Sequence, residues 1–429
     1  MTTGQHRAVR PRRAGLKAMA GRLSWGLGDQ AVSSLTNFAI GIFVARELGV
    51  TAFGMFSLAW VTYGVLINIS RGLATDPLMV RFSGVDTDLW RGAVARASAT
   101  ALVIGVGAGA VSLLFGLAAG GEFGSAFVAL GVIMPSLLLQ DSWRFAFFAS
   151  GEGQKAFLND VVWGVAMIPT MLLASLHANV VTFLLAWGGA ATVAAGYGYV
   201  QTHLRPSLAG VRTWLRDHRD LGTRYLVENV SNSSGSQIRM YGLGAIAGVA
   251  AVGTVRGGEL LLGPFVAVLM GLAFVAVPEA ARVVKRDVHK LMKFCFLLGG
   301  SQAFAALIWG TTLLLVLNDR LGEFVLGDVW HTAQLLILPA TFSVFNASFI
   351  GGAGTGLRAL GAARRSMRCQ LIASALYVVG GLGGAVLGGA VGSGWGVATA
   401  TFLSAFLWWS QLHLAVRAHT RTPQETRTP

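Results

Sequence analysis

Twelve apolar stretches, each of roughly 20 residues and parted by short polar breaks, constrain this chain more than any other feature. They fall at 24–45, 53–73, 93–118, 124–147, 156–176, 179–200, 224–246, 258–278, 292–317, 332–352, 369–390 and 394–416. In hydrocarbon a backbone N–H or C=O has no water to bond. A helix satisfies all of its own groups, so repeated blocks of this length predict a bundle of membrane-crossing helices. The blocks do not alternate polar and apolar residues, which excludes a β-barrel. Charged residues make up only 12% of the chain, against about 25% in a soluble domain. The fold expected is all-α: a polytopic membrane protein of about twelve transmembrane helices in two pseudo-symmetric six-helix lobes.

The formal net charge of +14 invites a nucleic-acid reading, and its distribution removes it. With the N-terminus placed in the cytoplasm, the inside segments hold 29 of the 33 Lys and Arg residues. The outside loops hold Arg46, Arg256 and Arg320, and Arg239 falls inside a span. Basic residues accumulate on the cytoplasmic side of membrane proteins, so both termini are expected there, in a multi-pass protein of the cell membrane. The positive charge then marks topology and meets anionic membrane lipids rather than nucleic acid. The N-terminal residues 1–22 are basic (Arg7, Arg10, Arg12, Arg13, Lys17, Arg22). They read as a disordered cytoplasmic tail before an uncleaved first helix. Cys295 and Cys369 lie in or beside apolar blocks without metal spacing and read as packing residues.

The longest inside segment, 201–222, carries an apolar stripe (Leu208, Val211, Trp214, Leu215) opposite Arg212, Arg216 and Arg219. It is expected to be a short helix on the inner membrane face, linking an N-terminal lobe over 23–200 to a C-terminal lobe over 223–417. Residues 418–429 form a cytoplasmic tail. The two lobes read as copies of one unit. Asp29-Gln30 and the GVTAFG run from Gly49 to Gly54 recur 199 residues later as Glu228-Asn229 and the GVAAVG run from Gly248 to Gly253. Gly72-Leu73-Ala74 matches Gly271-Leu272-Ala273 at the same offset, and Pro77 with Arg81 matches Pro278 with Arg282 after a two-residue insertion. Six spans separate the copies, so both insert with one orientation. Parallel repeats of this kind put a site at the interface between halves.

Spans 1 and 7 are too polar to face lipid. Span 1 carries Asp29, Gln30, Ser33, Ser34, Thr36 and Asn37. Span 7 carries Glu228, Asn229, Asn232, four further serines, Gln237 and Arg239. A charge at the bilayer centre costs about 2.5–3.5 kcal/mol on the most lenient scale, so these faces are expected to line a wet cavity. Glu228, Asn232, Gly235 and Arg239 share one helical stripe; its copy in span 1 is Asp29, Ser33, Thr36 and Ile40. Arg239 therefore has no counterpart in the first half. Two readings follow: a structural ion pair with some carboxylate, or an anion site in which the guanidinium grips phosphate through paired hydrogen bonds. Asp141 and Arg144, three residues apart at the end of span 4, are expected to pair along their helix. Arg144 and Arg358 near the inner surface read equally as structural or as lining substrate access, and so does Asp160. Arg71 reads as a topology determinant.

No catalytic triad, metal cluster or nucleotide motif appears, so neither an enzyme nor a cofactor or metal is expected. The GGAGTG run at 351–356 lacks the Lys and Ser/Thr of a phosphate loop and follows no strand. The eight histidines are scattered in tails, loops and span ends.

The stretch SWGLGDQAVSSLTNFAIGIFVARELGVTAFGMFSLAW, from Ser24 to Trp60, resembles the opening of bacterial polysaccharide (O-antigen and exopolysaccharide) flippases. These belong to the superfamily of multidrug exporters, oligosaccharidyl-lipid flippases and lipid II flippases. LQDSWRFAFFASGEGQKAFLND (139–160), LGDVWHTAQLL (326–336) and GLRALGAARRS (356–366) extend the resemblance in order over nearly the whole membrane region. It implies two lobes around a cavity that opens alternately to each side, and an undecaprenyl-(pyro)phosphate-linked oligosaccharide as cargo. On that reading Arg239 attracts the phosphate. Asn232, Gln237, Ser33, Asn37, Arg144 and Arg358 contact the substrate. Asp29, Glu228 and Asp141 handle a coupling proton or Na+. Polysaccharide assembly proteins are the expected partners. The alternatives are a multidrug exporter of the same superfamily, or a non-transporting scaffold or polymerase partner of a polysaccharide assembly complex.

Overall fold

The computed structural model describes residues 13–83, 85 and 87–421. Every long apolar block is helical. The helices are α1 (Arg13–Glu47), α2 (Val50–Ser70), α3 (Asp76–Phe82), α4 (Thr87–Ala119), α5 (Gly121–Ser150), α6 (Gly153–Ser175) and α7 (Val180–Thr202). They continue with α8 (Val211–Asp217), α9 (Arg219–Ala247), α10 (Val249–Arg286), α11 (His289–Val316), α12 (Asp319–Leu326), α13 (Trp330–Ala333), α14 (Ile337–Ala359) and α15 (Ala363–Arg421). Among the described residues, nine helical stretches are long and apolar enough to cross a membrane. One of them, α15, is broken where Gly389 takes φ 57°, a left-handed conformation suited to glycine, and so supplies two crossings. The polar helices α1 and α9 complete the twelve. The expected tail is helical from Arg13 onward; residues 1–12 lie outside the described residues.

Helices α1, α2 and α4–α7 pack into one bundle, and α9–α11, α14 and α15 into a second. Consecutive crossings alternate direction, so the basic loops gather at the end where α1 starts, here called the basic end. The two bundles meet through α2 against α10, α2 against α9, and α1 against α10.

The 199-residue repeat is also a spatial one. A Cβ built on Gly54 would lie 2.1 Å from the Val249 carbonyl oxygen, and one on Gly253 would lie 2.2 Å from that of Val50. Each contact maps onto the other at the offset read from the sequence. Gly64 faces the Gln237 amide, and Gly263 faces the Phe38 ring, again related by 199. A pseudo-two-fold axis thus passes through the crossing of α2 and α10, at the end opposite the basic loops. Only glycine lets the two backbones approach this closely.

The symmetry breaks along the two seams beside that crossing. Between α2–α3 and α9, four side-chain hydrogen bonds bridge the bundles: Thr62 with Tyr241 at 2.8 Å, Asn68 to Ser233 at 3.2 Å, Asn229 to Asp76 at 2.7 Å, and Arg81 to Asp220 at 2.7 Å. The seam between α1 and α10 has no such bond among the described residues. Its contacts cluster towards the crossing, as where Leu260 meets Gly41.

Two expectations are corrected. The segment after α7 forms a short helix, but Trp214 of its apolar stripe faces protein rather than a membrane. Trp214 is 1% exposed, donates to the Leu73 carbonyl at 3.2 Å and stacks near Phe82 and His218. Leu208 remains exposed. The indole is enclosed by protein with its N–H satisfied, so the linker is docked at this point. Second, α10 starts at Val249, nine residues before the expected span, so Arg256 lies within a helix rather than in an outer loop.

Candidate functional site

Two separate groups of buried charges occupy the bundles, one in each. The first lies near the basic end of the first bundle. Arg144 of α5 reaches Asp29 of α1, donating from Nε at 2.7 Å and also from Nη2, and lies 3.4 Å from Asp160 of α6. Arg71 grips Asp141 with both branches, Nε at 3.0 Å and Nη2 at 2.7 Å. Gln140 donates to Asn159 and Asp160, and Asn159 donates to Gln201 and to the Ala194 carbonyl. Asp29, Asp141 and Asp160 are at most 3% exposed. The buried oxygens Asp29 Oδ1 and Asp160 Oδ2 have no hydrogen-bond partner among the described residues.

The local backbone explains this geometry. α2 ends in a π-helical turn over Arg71–Thr75, which inserts an extra residue and turns the Arg71 side chain onto α5. Asp141 and Arg144 sit on one face of α5 but do not pair with each other, contrary to the sequence expectation. Each instead meets an opposite charge from another helix, which holds α1, α2, α5 and α6 in register. Arg71, read as a topology determinant, is a structural partner of the network. Three carboxylates face two guanidiniums here, so the cluster carries one negative charge in excess when every group is ionised.

The second group lies in the second bundle, towards the opposite end. Arg239 of α9 is 3% exposed, and its Nη2 donates to Glu259 of α10. Arg256, one turn before Glu259 on α10, donates to the other carboxylate oxygen at 3.2 Å. The Arg239 guanidinium lies 5.2 Å from the centre of the Tyr377 ring, a cation–π arrangement. Its stem rests on Gly381, where a Cβ would lie 2.7 Å from Arg239 Cδ. Arg239 Nε is buried without a hydrogen-bond partner among the described residues. Two guanidiniums share one carboxylate, so this group has one positive charge in excess.

The remaining expected site residues divide. Gln237 lies half-buried on the bridged seam facing Gly64. Ser33 and Asn37 are half-buried on α1, and neither side chain bonds another described residue. Glu228 is exposed and, with Thr223, Arg224 and Val227, lines a pocket of about 440 Å³ at the basic end of α9. Arg358 is exposed at the basic end of α14, apart from both charge groups. The side chain of Asn232 lies outside the described residues. No cluster of His, Cys, Asp or Glu suited to a metal occurs among the described residues.

Sequence reading missed Glu259 and Arg256. The available signal was an acid and a base three residues apart at the start of an apolar block, in the half of the chain that also holds Arg239. The notional start of that block at 258 hid it by leaving Arg256 in a loop.

No protein-family model matches the chain, and no curated protein is similar to it. Solved structures are. A multidrug resistance MATE family transporter of the MOP superfamily, in an inward-facing conformation, matches with a TM-score of 0.70 at 16% identity, covering 91% of this chain and 96% of that one. The lipid II flippase MurJ, in an inward closed conformation, matches with a TM-score of 0.64 at 9% identity, covering 90% and 87%. A MOP superfamily transporter from Pyrococcus furiosus, described as having a binding pocket of reverse polarity, matches with a TM-score of 0.54 at 16% identity, covering 95% and 97%.

Proposed function

The chain has the fold of the MOP-superfamily transporters, and we propose that it is a flippase. It moves an undecaprenyl-(pyro)phosphate-linked oligosaccharide from the cytoplasmic to the outer leaflet by alternating access, in cell-surface polysaccharide biosynthesis. Arg239 carries this reading. A guanidinium 3% exposed within an apolar bundle, beside a second arginine, is a costly arrangement that suits an anionic group. Arginine holds phosphate bidentately and with charge assistance. The half-buried polar side chains Ser33, Asn37 and Gln237 supply hydrogen bonds for sugar hydroxyls, with Asn232 on the same helix as Arg239. The unbridged seam between α1 and α10 supports passage of a head group while the lipid tail stays in the bilayer. Likeness to the lipid II flippase supports the same class of cargo.

The excess carboxylate around Asp29, Asp141 and Asp160 supports coupling to one proton or Na+. Glu228, exposed at the basic end of α9, is assigned the same role. Arg144 and Arg358 belong to this basic end, where head groups and anionic lipids arrive. Both termini are assigned to the cytoplasm, and polysaccharide assembly proteins are the proposed partners. The test is reconstitution in liposomes with a fluorescent lipid-linked sugar. Arg239→Ala is expected to cut translocation at least tenfold, by loss of about 1.4 kcal/mol or more of head-group binding. Wild-type rates for this variant would end the anion-site reading.

A second reading has its own observation. The excess negative charge near Asp29 and Asp160 suits an amphipathic cation, which fits a multidrug exporter of this fold. That reading expects resistance to cationic dyes when the protein is overproduced in a drug-sensitive strain, with loss of resistance in Asp29→Asn.

A further inference from the structure

The arginine pair in the second bundle comes with its own anion. Glu259 offers one oxygen to Arg239 and the other to Arg256, and these two helices present no other carboxylate to the pair among the described residues. The three side chains differ in access. The Arg239 side chain is 4% exposed, whereas those of Glu259 and Arg256 are 37% and 33% exposed. The cation is therefore fixed and the carboxylate reaches open space. Arg239 is further held by the Tyr377 ring and by the bare face of Gly381, neither of which depends on Glu259. Its Nε, buried without a partner among the described residues, is a donor that this carboxylate leaves unused. A glutamate swings away by side-chain rotation, whereas Arg239 has no room to follow.

We propose that Glu259 is a displaceable counter-ion: an anionic phosphate group of the cargo takes its place on Arg239 and Arg256, and its return drives the cargo off. The inference rests on the anion-site reading of Arg239. Its physical content is competition. Without a carboxylate, the buried Arg239 and the partly exposed Arg256 would be left unpaired in the empty protein and would hold a phosphate too tightly to release it. With it, the empty site carries one uncompensated positive charge instead of two, and a bound phosphate takes over the role of the displaced carboxylate. Glu259 thus lowers affinity and restores turnover, where a merely structural partner would support both.

The experiment is titration of the purified full chain in lipid nanodiscs with farnesyl pyrophosphate, followed by calorimetry. Wild type, Glu259→Gln, Glu259→Asp and Arg239→Gln are compared, each after its melting temperature has been measured. Glu259→Gln is expected to bind about tenfold more tightly, a gain of about 1.4 kcal/mol. Glu259→Asp is expected to stay within about threefold of wild type, since it keeps the competing charge. Arg239→Gln is expected to lose binding. Unchanged or weaker binding in Glu259→Gln, with binding still lost in Arg239→Gln, overturns the counter-ion role and leaves the anion site standing. Equal binding by all four, or binding by none, overturns both. If Glu259→Gln melts too low to titrate, Glu259→Asp decides: a loss of binding there makes Glu259 structural and overturns the proposal.

Discussion

Arg144 illustrates how one side chain organises a bundle. It joins Asp29 of α1 and Asp160 of α6 from its position on α5, and it is 13% exposed while its partners are almost wholly enclosed. Removing one member of a buried ion pair strands the other, at a cost of about 3–5 kcal/mol. Arg144→Ala is therefore expected to lower stability by that amount, read as the loss of melting temperature in detergent. The double change Asp29→Asn with Arg144→Gln removes both charges and is expected to restore part of the loss. Were the double variant the less stable of the two, the pairing would not be what holds these helices. Asp141, in contrast, answers to Arg71 through two hydrogen bonds. Which acid meets which base depends on helix rotation and on the π-helical turn, and neither is written in the spacing of charges along α5.

At the scale of elements, glycine decides where helices touch. The reciprocal approach of Gly54 to Val249 and of Gly253 to Val50 leaves no room for a methyl group on either side. Gly54→Ala and Gly253→Ala are each expected to part α2 from α10, raising amide hydrogen exchange over both 50–56 and 249–255. Because the contacts are symmetry-related, the two variants should give matching patterns. Gly107→Ala, where the added Cβ meets nothing within 4 Å, serves as the control. The linker helix α8 is held by Trp214 and by Arg81, which donates to the Asp217 carbonyl at 2.8 Å. Trp214→Ala removes a fully buried indole, a change worth about 3–5 kcal/mol in a protein core, and should expose the 203–218 segment to protease while leaving the helical bundles folded.

For the whole molecule, the twelve crossings and their charge asymmetry make a topological prediction. A fluorescent protein fused after Pro429 should fluoresce in the cytoplasm, and alkaline phosphatase fused at Asn179, between α6 and α7, should be active outside. The reverse result would invert the assignment of the basic end. The two charge groups also differ in sign and depth: an excess carboxylate near the basic end of one bundle, an excess guanidinium towards the opposite end of the other.

The sequence by itself determined the helix count, the two-fold repeat and the distribution of basic residues. Each depends only on local composition and periodicity: a span needs its length of apolar residues, and an offset of 199 needs only matching letters. It also marked α1 and α9 as special, because hydroxyls, amides and charges inside an apolar block are conspicuous in any arrangement. Only the tertiary structure decided partners. Arg239 looked unmatched along its own stripe and proved to be bound to Glu259, twenty residues away on the neighbouring helix. Asp29 stood in the first span without an assigned partner and proved to lie beside Arg144, 115 residues on. Pair formation between helices depends on their rotation, crossing and depth, and these are fixed by the close packing of glycine faces across the whole bundle.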